Sequence, residues 1–343
     1  MTGELHAKQD IPSPSSELAC NVVRRPLLPV HPVRWLTIGL VLDKNPYDAV
    51  MGEVLKLFSE EQAPAPATER LPRNQAEIVV GDVRSVLHGF PDGLFRTCVT
   101  SPPYWGLRDY GIEGQIGAET DVRDYIKDLV SVFREVRRVL ADDGTFWLNI
   151  GDSYTSGGRT WRDDDAKNKG RGMSYRAPTP QGLKPKDLIG VPWRIAFALQ
   201  EDGWYLRTDI IWNKPNCQPE SVKDRPTRSH EYVFLFSKNE KYFYDHEAVK
   251  EPALDQKQKS KNRRTVWNIN TEPYPGSHFA VYPKQLVRLC VKAGSNPHDR
   301  VLDPFFGSGT TGVVCNELNR QCTGIELNDE YAELARLRLL RGK

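Results

Sequence analysis

Paired cysteines are what this 343-residue chain most plainly lacks. Its six cysteines, Cys20, Cys98, Cys217, Cys290, Cys315 and Cys322, are scattered, with no Cys-x-x-Cys and no cysteine–histidine spacing of the kind that holds zinc. The thiols read as reduced and mostly buried, and no metal site is expected. Long hydrophobic runs are missing too: the longest, Trp35 to Leu42, is far too short to cross a bilayer. Residues 1–10 have no basic region leading into an apolar one, so no secretory signal is read there. A cytoplasmic protein without a membrane partner is expected. Net charge is only +2 at pH 7. That argues against a chain coated in nucleic acid and leaves any such contact to local basic patches.

What is present is the balance of a globular protein, with 39% hydrophobic and 27% charged residues. The length suits one catalytic domain with insertions, or two small domains. The strongest local signal is Thr100-Ser101-Pro102-Pro103-Tyr104, directly after the apolar run Phe95 to Val99. A β-branched and aromatic run that stops at two prolines reads as a strand ending in a rigid loop, because proline fixes φ and cannot donate to a ladder. The loop offers a hydroxyl, backbone carbonyls that no helix uses, and an aromatic ring. Such a set suits an amino group on a flat ring, although a purely structural turn has the same residues.

A second stretch, Arg300 to Thr311, repeats the pattern: strand, the acidic Asp303, a glycine loop, then a helical pattern from Gly312 to Leu318. In a doubly wound sheet, ligands sit outside the carboxyl ends of strands where the winding reverses. Two such loops facing one crevice make a two-substrate site. The spacing Phe305-x-Gly307-x-Gly309 differs from the dinucleotide pattern Gly-x-Gly-x-x-Gly, and the Asp303 carboxylate suits a cation and repels a pyrophosphate.

Elsewhere the chain alternates strand and helix. Glu77 to Asp82 reads as a short strand followed by a helical start, with Asp82 placed either to cap that helix or to meet a ligand. Trp105 to Gly117 is glycine-rich and aromatic, the composition of a mobile flap. Asp121 to Leu140 has helical spacing at Tyr125, Leu129, Val132, Phe133, Val136 and Leu140, and Thr145 to Ile150 is a strand. Residues 153–186 form a long basic loop insertion carrying Arg159 and Arg162, either a contact for DNA phosphates or a solvated insertion. Then come a helix, Leu188 to Leu199, with Pro192 in its first turn, and two strands, Tyr205 to Trp212 and Glu231 to Phe236, that pair antiparallel. His230, alone at a strand entrance, reads as structural. Lys257, Lys259, Lys261, Arg263 and Arg264 crowd one polar segment, with Trp267 and Asn268 beside them as groups able to contact bases. Pro283 is placed in the first turn of a helix from Lys284 to Ala293. Glu326 follows the last strand, 17 positions past Gly309, where an acid commonly meets ribose hydroxyls.

Asp303-Pro304-Phe305-Phe306-Gly307-Ser308-Gly309-Thr310 resembles the S-adenosylmethionine-binding motif of amino-group DNA methyltransferases. Ser101-Pro102-Pro103-Tyr104 resembles their catalytic tetrapeptide in its cytosine-N4 form. With the catalytic loop first and the cofactor loop last, the order is that of the permuted beta group. The resemblance spans residues 77–343.

It implies an α/β fold: a doubly wound, mostly parallel, Rossmann-like methyltransferase sheet with an antiparallel edge strand, circularly permuted. The implied division is an N-terminal extension at 1–76, a catalytic half at 77–238, a target-recognition segment at 239–276 and a cofactor half at 277–343. Ser101 and Pro102 would take the hydrogens of a flipped cytosine's amine, and Tyr104 would stack on its ring. Asp82 would meet the cofactor's adenine and Phe279 would lie in the segment that closes over its methionine end. Asp303, Phe305, Gly307, Ser308, Gly309, Thr310 and Glu326 complete the implied cofactor site. No cysteine follows a proline, so the nucleophile of cytosine-C5 enzymes is missing. The implied activity is S-adenosylmethionine-dependent N4 methylation of cytosine in double-stranded DNA within a type II restriction-modification system. The cognate endonuclease would be a separate protein, and the methylase a monomer or homodimer. Adenine-N6 methylation, methylation of RNA or of a protein amide, and a silent DNA-binding protein are the alternatives.

Overall fold

The computed structural model describes residues 76–108, 112–155, 177–253, 259–272 and 282–341. Arg159, Arg162, Lys257, Phe279 and residues 1–75 of the N-terminal extension lie outside them. All the described residues belong to one unit, Glu69–Lys343.

Ten strands are present among them: β1 (Ala76–Val80), β2 (Phe95–Thr100), β3 (Leu140–Ile150), β4 (Tyr205–Asn213), β5 (His230–Ser237), β6 (Glu251–Pro252), β7 (Ser260–Lys261), β8 (Val266–Asn268), β9 (Arg300–Asp303) and β10 (Gln321–Glu326). Eight of them form one sheet in the order β1-β10-β9-β2-β3-β5-β4-β8, and β6 pairs with β7 separately. The first five run parallel, β5 is reversed against both its neighbours, and β8 runs with β4. The reversed strand thus lies two places in from the edge, which β8 occupies.

The helices are α1 (Val83–His88), α2 (Val122–Val139), α3 (Val191–Glu201), α4 (Lys284–Gly294), α5 (Thr310–Glu317) and α6 (Asp329–Arg341). Asp121 caps α2 by accepting from the Arg123 N–H at 2.8 Å, and the predicted apolar stripe of α2 is buried. Pro283 is the N-cap of α4 rather than part of its first turn. Strand β3 begins at Leu140, five positions before the predicted start, because Leu140 already pairs with Phe95 of β2, ahead of a register shift between Phe95 and Thr97.

Along β3, Phe146 and Leu148 belong to the buried cluster that includes residues of α1, α2 and α3, while Trp147 belongs to the one that includes residues of α4, α5 and α6. Adjacent residues facing opposite sides is the period-2 rule of a strand, here with both faces covered. Each such large side chain fully buried contributes about 2 kcal/mol. The chain leaves β2 through α2 to β3 in one direction, and leaves β9 through α5 to β10 in the other. The winding therefore reverses between the neighbours β2 and β9.

Candidate active site

At that reversal the strand ends open into a cavity of about 320 Å³. Ser101, Pro102, Pro103 and Tyr104 line it from the loop after β2, and Phe305, Gly307, Ser308 and Thr310 line it from the loop after β9. Glu326 at the end of β10 and Asp82 just beyond β1 complete the wall. Sequence positions more than 200 apart are thereby brought to one crevice.

Two predicted residues stand behind the wall. Gly309 takes φ 79° as the N-cap of α5, a left-handed conformation that glycine adopts without a Cβ clash. Asp303 is fully buried. Its carboxylate accepts from Thr100 Oγ1 at 2.6 Å, Thr311 Oγ1 at 2.6 Å, Tyr282 OH at 2.8 Å and the Phe305 N–H at 3.2 Å. Burial raises its pKa and these donors oppose the rise. The expected open face toward a cation is replaced by a saturated strut, because a buried carboxylate must satisfy its lone pairs locally.

Glu326 accepts from the Gly307 N–H at 2.7 Å and from the Asn328 N–H at 2.9 Å. Burial raises its pKa. Asp82 caps α1 through the Arg84 N–H at 2.8 Å and also lines the cavity. The Arg84 guanidinium, 2.6 Å from Oδ2, holds the Asp82 carboxyl below its usual range. Arg84 also donates to the Gly114 carbonyl at 3.1 Å, tying Asp82 to the segment 105–117. That segment is a folded rim among its described residues: Trp105 is buried and donates to the Glu119 carbonyl at 2.9 Å, and the Gly106 N–H bonds the Gly117 carbonyl at 2.9 Å.

Sequence reasoning missed Asn149, Lys214 and Glu231, which line the same cavity. Glu231 Oε2 accepts from Tyr104 OH at 2.7 Å and from Asn149 Nδ2 at 3.1 Å, and Oε1 pairs with Lys214 Nζ. The Lys214 ammonium also lies 4.5 Å over the Trp212 ring. Burial, with the Glu231 charge second, pushes the Tyr104 phenol well above its ordinary pKa. Tyr125 OH donates to the Pro103 carbonyl at 2.7 Å, so the core fixes the proline loop.

The basic cluster is placed elsewhere. Lys261, Arg263 and Arg264 gather on Glu251 at 3.7, 3.9 and 2.8 Å, and Lys259 is exposed nearby. Trp267 does not face outward as a base reader: it is buried, and its Nε1 donates to the Arg264 carbonyl at 2.8 Å. Strand β8 turns it into the core between exposed Val266 and Asn268. His230 opens β5 edge-on to the Tyr232 ring at 5.5 Å. No group of His, Cys, Asp and Glu among the described residues is placed to hold a metal ion. Nor is any described helix long and apolar enough to cross a membrane.

A family model for DNA methylases, N6_N4_Mtase, matches residues 95–337, the span that holds both loops. The chain belongs to this DNA methylase family. Among similar members, the type II methyltransferase M.SmaI of Serratia marcescens is 75% identical over 265 residues, covering 77% of this methylase and 91% of that protein. The type II methyltransferase M.Cfr9I of Citrobacter freundii is 60% identical over 274 residues, covering 79% and 90%. A Thermus thermophilus protein solved in complex with S-adenosyl-L-methionine aligns with TM-score 0.54 and 27% identity over 78% of this methylase and 94% of that chain. The cytosine-N4-specific PvuII DNA methyltransferase shares the fold, with TM-score 0.57 and 21% identity over 78% and 94%.

Proposed function

We propose that this methylase transfers a methyl group from S-adenosylmethionine to the exocyclic N4 of a cytosine flipped out of double-stranded DNA. The observation that carries the reading is that Ser101–Tyr104 and the Gly307 loop wall one cavity. At the coarser level, the chain is a type II DNA methyltransferase and S-adenosylmethionine is its methyl donor.

The residues present fit that donor. A Cβ built on Gly307 meets nothing within 4 Å, so the glycine leaves open space where a ligand can lie against the loop. Glu326 is set to hold ribose hydroxyls, Asp82 and Phe305 to meet the adenine, and Ser308 and Thr310 to offer hydroxyls. When bound, S-adenosylmethionine supplies an electrophilic methyl carbon on a positively charged sulfur.

The target amine is a poor nucleophile because its lone pair is delocalised into the ring. Ser101 Oγ and the Pro102 carbonyl accept its two hydrogens, which favours a pyramidal nitrogen with its lone pair free. Tyr104 replaces the stacking that the base loses on leaving the duplex. Serine at position 101 is the basis for choosing cytosine over adenine. Lys259, Lys261, Arg263 and Arg264, with residues 239–276 around them, are assigned to the DNA, and the modified site is shielded from a cognate endonuclease. Ser101→Ala tests the reading: methylation is expected to collapse while DNA affinity, measured by fluorescence anisotropy, stays. Retained methylation would remove Ser101 from the chemistry.

A further inference from the structure

Methyl transfer to an amine leaves a surplus proton on nitrogen, and the cavity holds a route for it. Glu231 is the second residue of β5, its side chain 17% exposed at the cavity wall. It accepts from Tyr104 OH at 2.7 Å, and the Tyr104 oxygen accepts from Ser101 Oγ at 3.4 Å, the longest link. The direction of this chain is set from its carboxylate end. A carboxylate only accepts, so the Tyr104 hydrogen points to Glu231, and in its bond to that phenol oxygen Ser101 is the donor. A lone serine can donate or accept, whereas this one keeps its lone pairs for the cavity. Asn149 Nδ2 at 3.1 Å and the Lys214 ammonium fix the carboxylate at the far end.

We propose that Glu231 is a positioning residue at the end of the chain Ser101–Tyr104–Glu231, which commits Ser101 to accepting an amine hydrogen and takes up the proton released on methylation. The inference rests on the function proposed above. The base nitrogen's lone pair forms the nitrogen–methyl bond while the carbon–sulfur electron pair stays on sulfur. The nitrogen's proton then passes to Ser101, the Ser101 proton to Tyr104 and the Tyr104 proton to Glu231. Glu231 becomes a neutral acid and later releases that proton to solvent. Each hydroxyl gives one proton as it gains one, so the phenol never ionises, in keeping with its raised pKa.

The test compares Glu231→Gln, Glu231→Asp, Tyr104→Phe and the Gln/Phe double variant. Glutamine keeps the size and an accepting oxygen but takes no proton. Its single-turnover rate is expected to fall about a hundredfold, with S-adenosylmethionine and DNA affinities by calorimetry unchanged and partial recovery in Glu231→Asp. Tyr104→Phe should match it, and the double variant should lose no more than either single one, because groups acting as a unit are not additive. A glutamine variant as fast as the parent, losses that multiply, or a loss explained by weakened binding would overturn the proposal. If Glu231→Gln does not fold, the rate of Tyr104→Phe decides alone. A parent that methylates no DNA sinks the function and this chain together, whereas an active parent with unaffected variants sinks only the chain.

Discussion

The hydroxyl of Thr100 donates to Oδ1 of Asp303 at 2.6 Å, joining the last residue of β2 to the last residue of β9 across the point where the winding reverses. Ser101 follows one of them and the glycine loop follows the other, so this bond sets the spacing of the two loops. Asp303→Asn keeps the shape but puts an amide nitrogen where one carboxylate oxygen accepts two hydrogen bonds, and costs about 1–3 kcal/mol. A lower melting temperature and weaker binding of S-adenosylmethionine are expected. An unchanged melting temperature would contradict the strut.

Both loops were legible in the sequence because their signals are local: a strand run stopped by Pro102 and Pro103, and another stopped by Gly307 and Gly309. Their meeting follows from the βαβ rhythm. Asn149, Lys214 and Glu231 carried no such signal. They converge only because β5 runs back against β3, setting Ile150 opposite Tyr232, and against β4, setting Trp212 opposite Glu231. Strand β8 is three residues long, too short for alternation to show that Trp267 points inward. The sequence reveals the charge of Asp303 but not its burial.

Arg338 of α6 holds the cofactor loop from behind, its Nη1 donating to Ser308 O at 3.2 Å, Ser308 Oγ at 3.0 Å and Thr310 Oγ1 at 2.8 Å. Arg338→Met keeps the stem and removes these bonds. The dissociation constant for S-adenosylmethionine is expected to rise about tenfold, or about 1.4 kcal/mol, with DNA affinity unchanged. Calorimetry reads both.

Gly151 lies against the Tyr104 ring, where a Cβ would stand 2.7 Å from Cε2. Gly151→Ala therefore displaces Tyr104 and should slow single-turnover transfer by about tenfold to a hundredfold, leaving S-adenosylmethionine affinity as it was. Full-rate transfer would show that the ring position is not critical.

The Arg123 side chain holds the Asp121 carboxyl down from 3.8 to about 2. A pKa lowered by folding contributes stability above the unfolded value and loses it as pH falls toward the folded one. Asp121→Asn keeps a capping oxygen without the charge. The parent's advantage over this variant in urea denaturation should be present at neutral pH and fade between pH 3.8 and about 2. A gap that stays constant over that range would place the effect in the cap alone.

The most direct measurement incubates the purified methylase with S-adenosylmethionine and unmodified bacterial DNA, digests the product to nucleosides and identifies methylated species by mass spectrometry. N4-methylcytosine is the expected product, absent with Ser101→Ala. N6-methyladenine in its place would contradict the use of Ser101 to choose the base, and no methylated base on varied DNA would contradict the proposed activity itself.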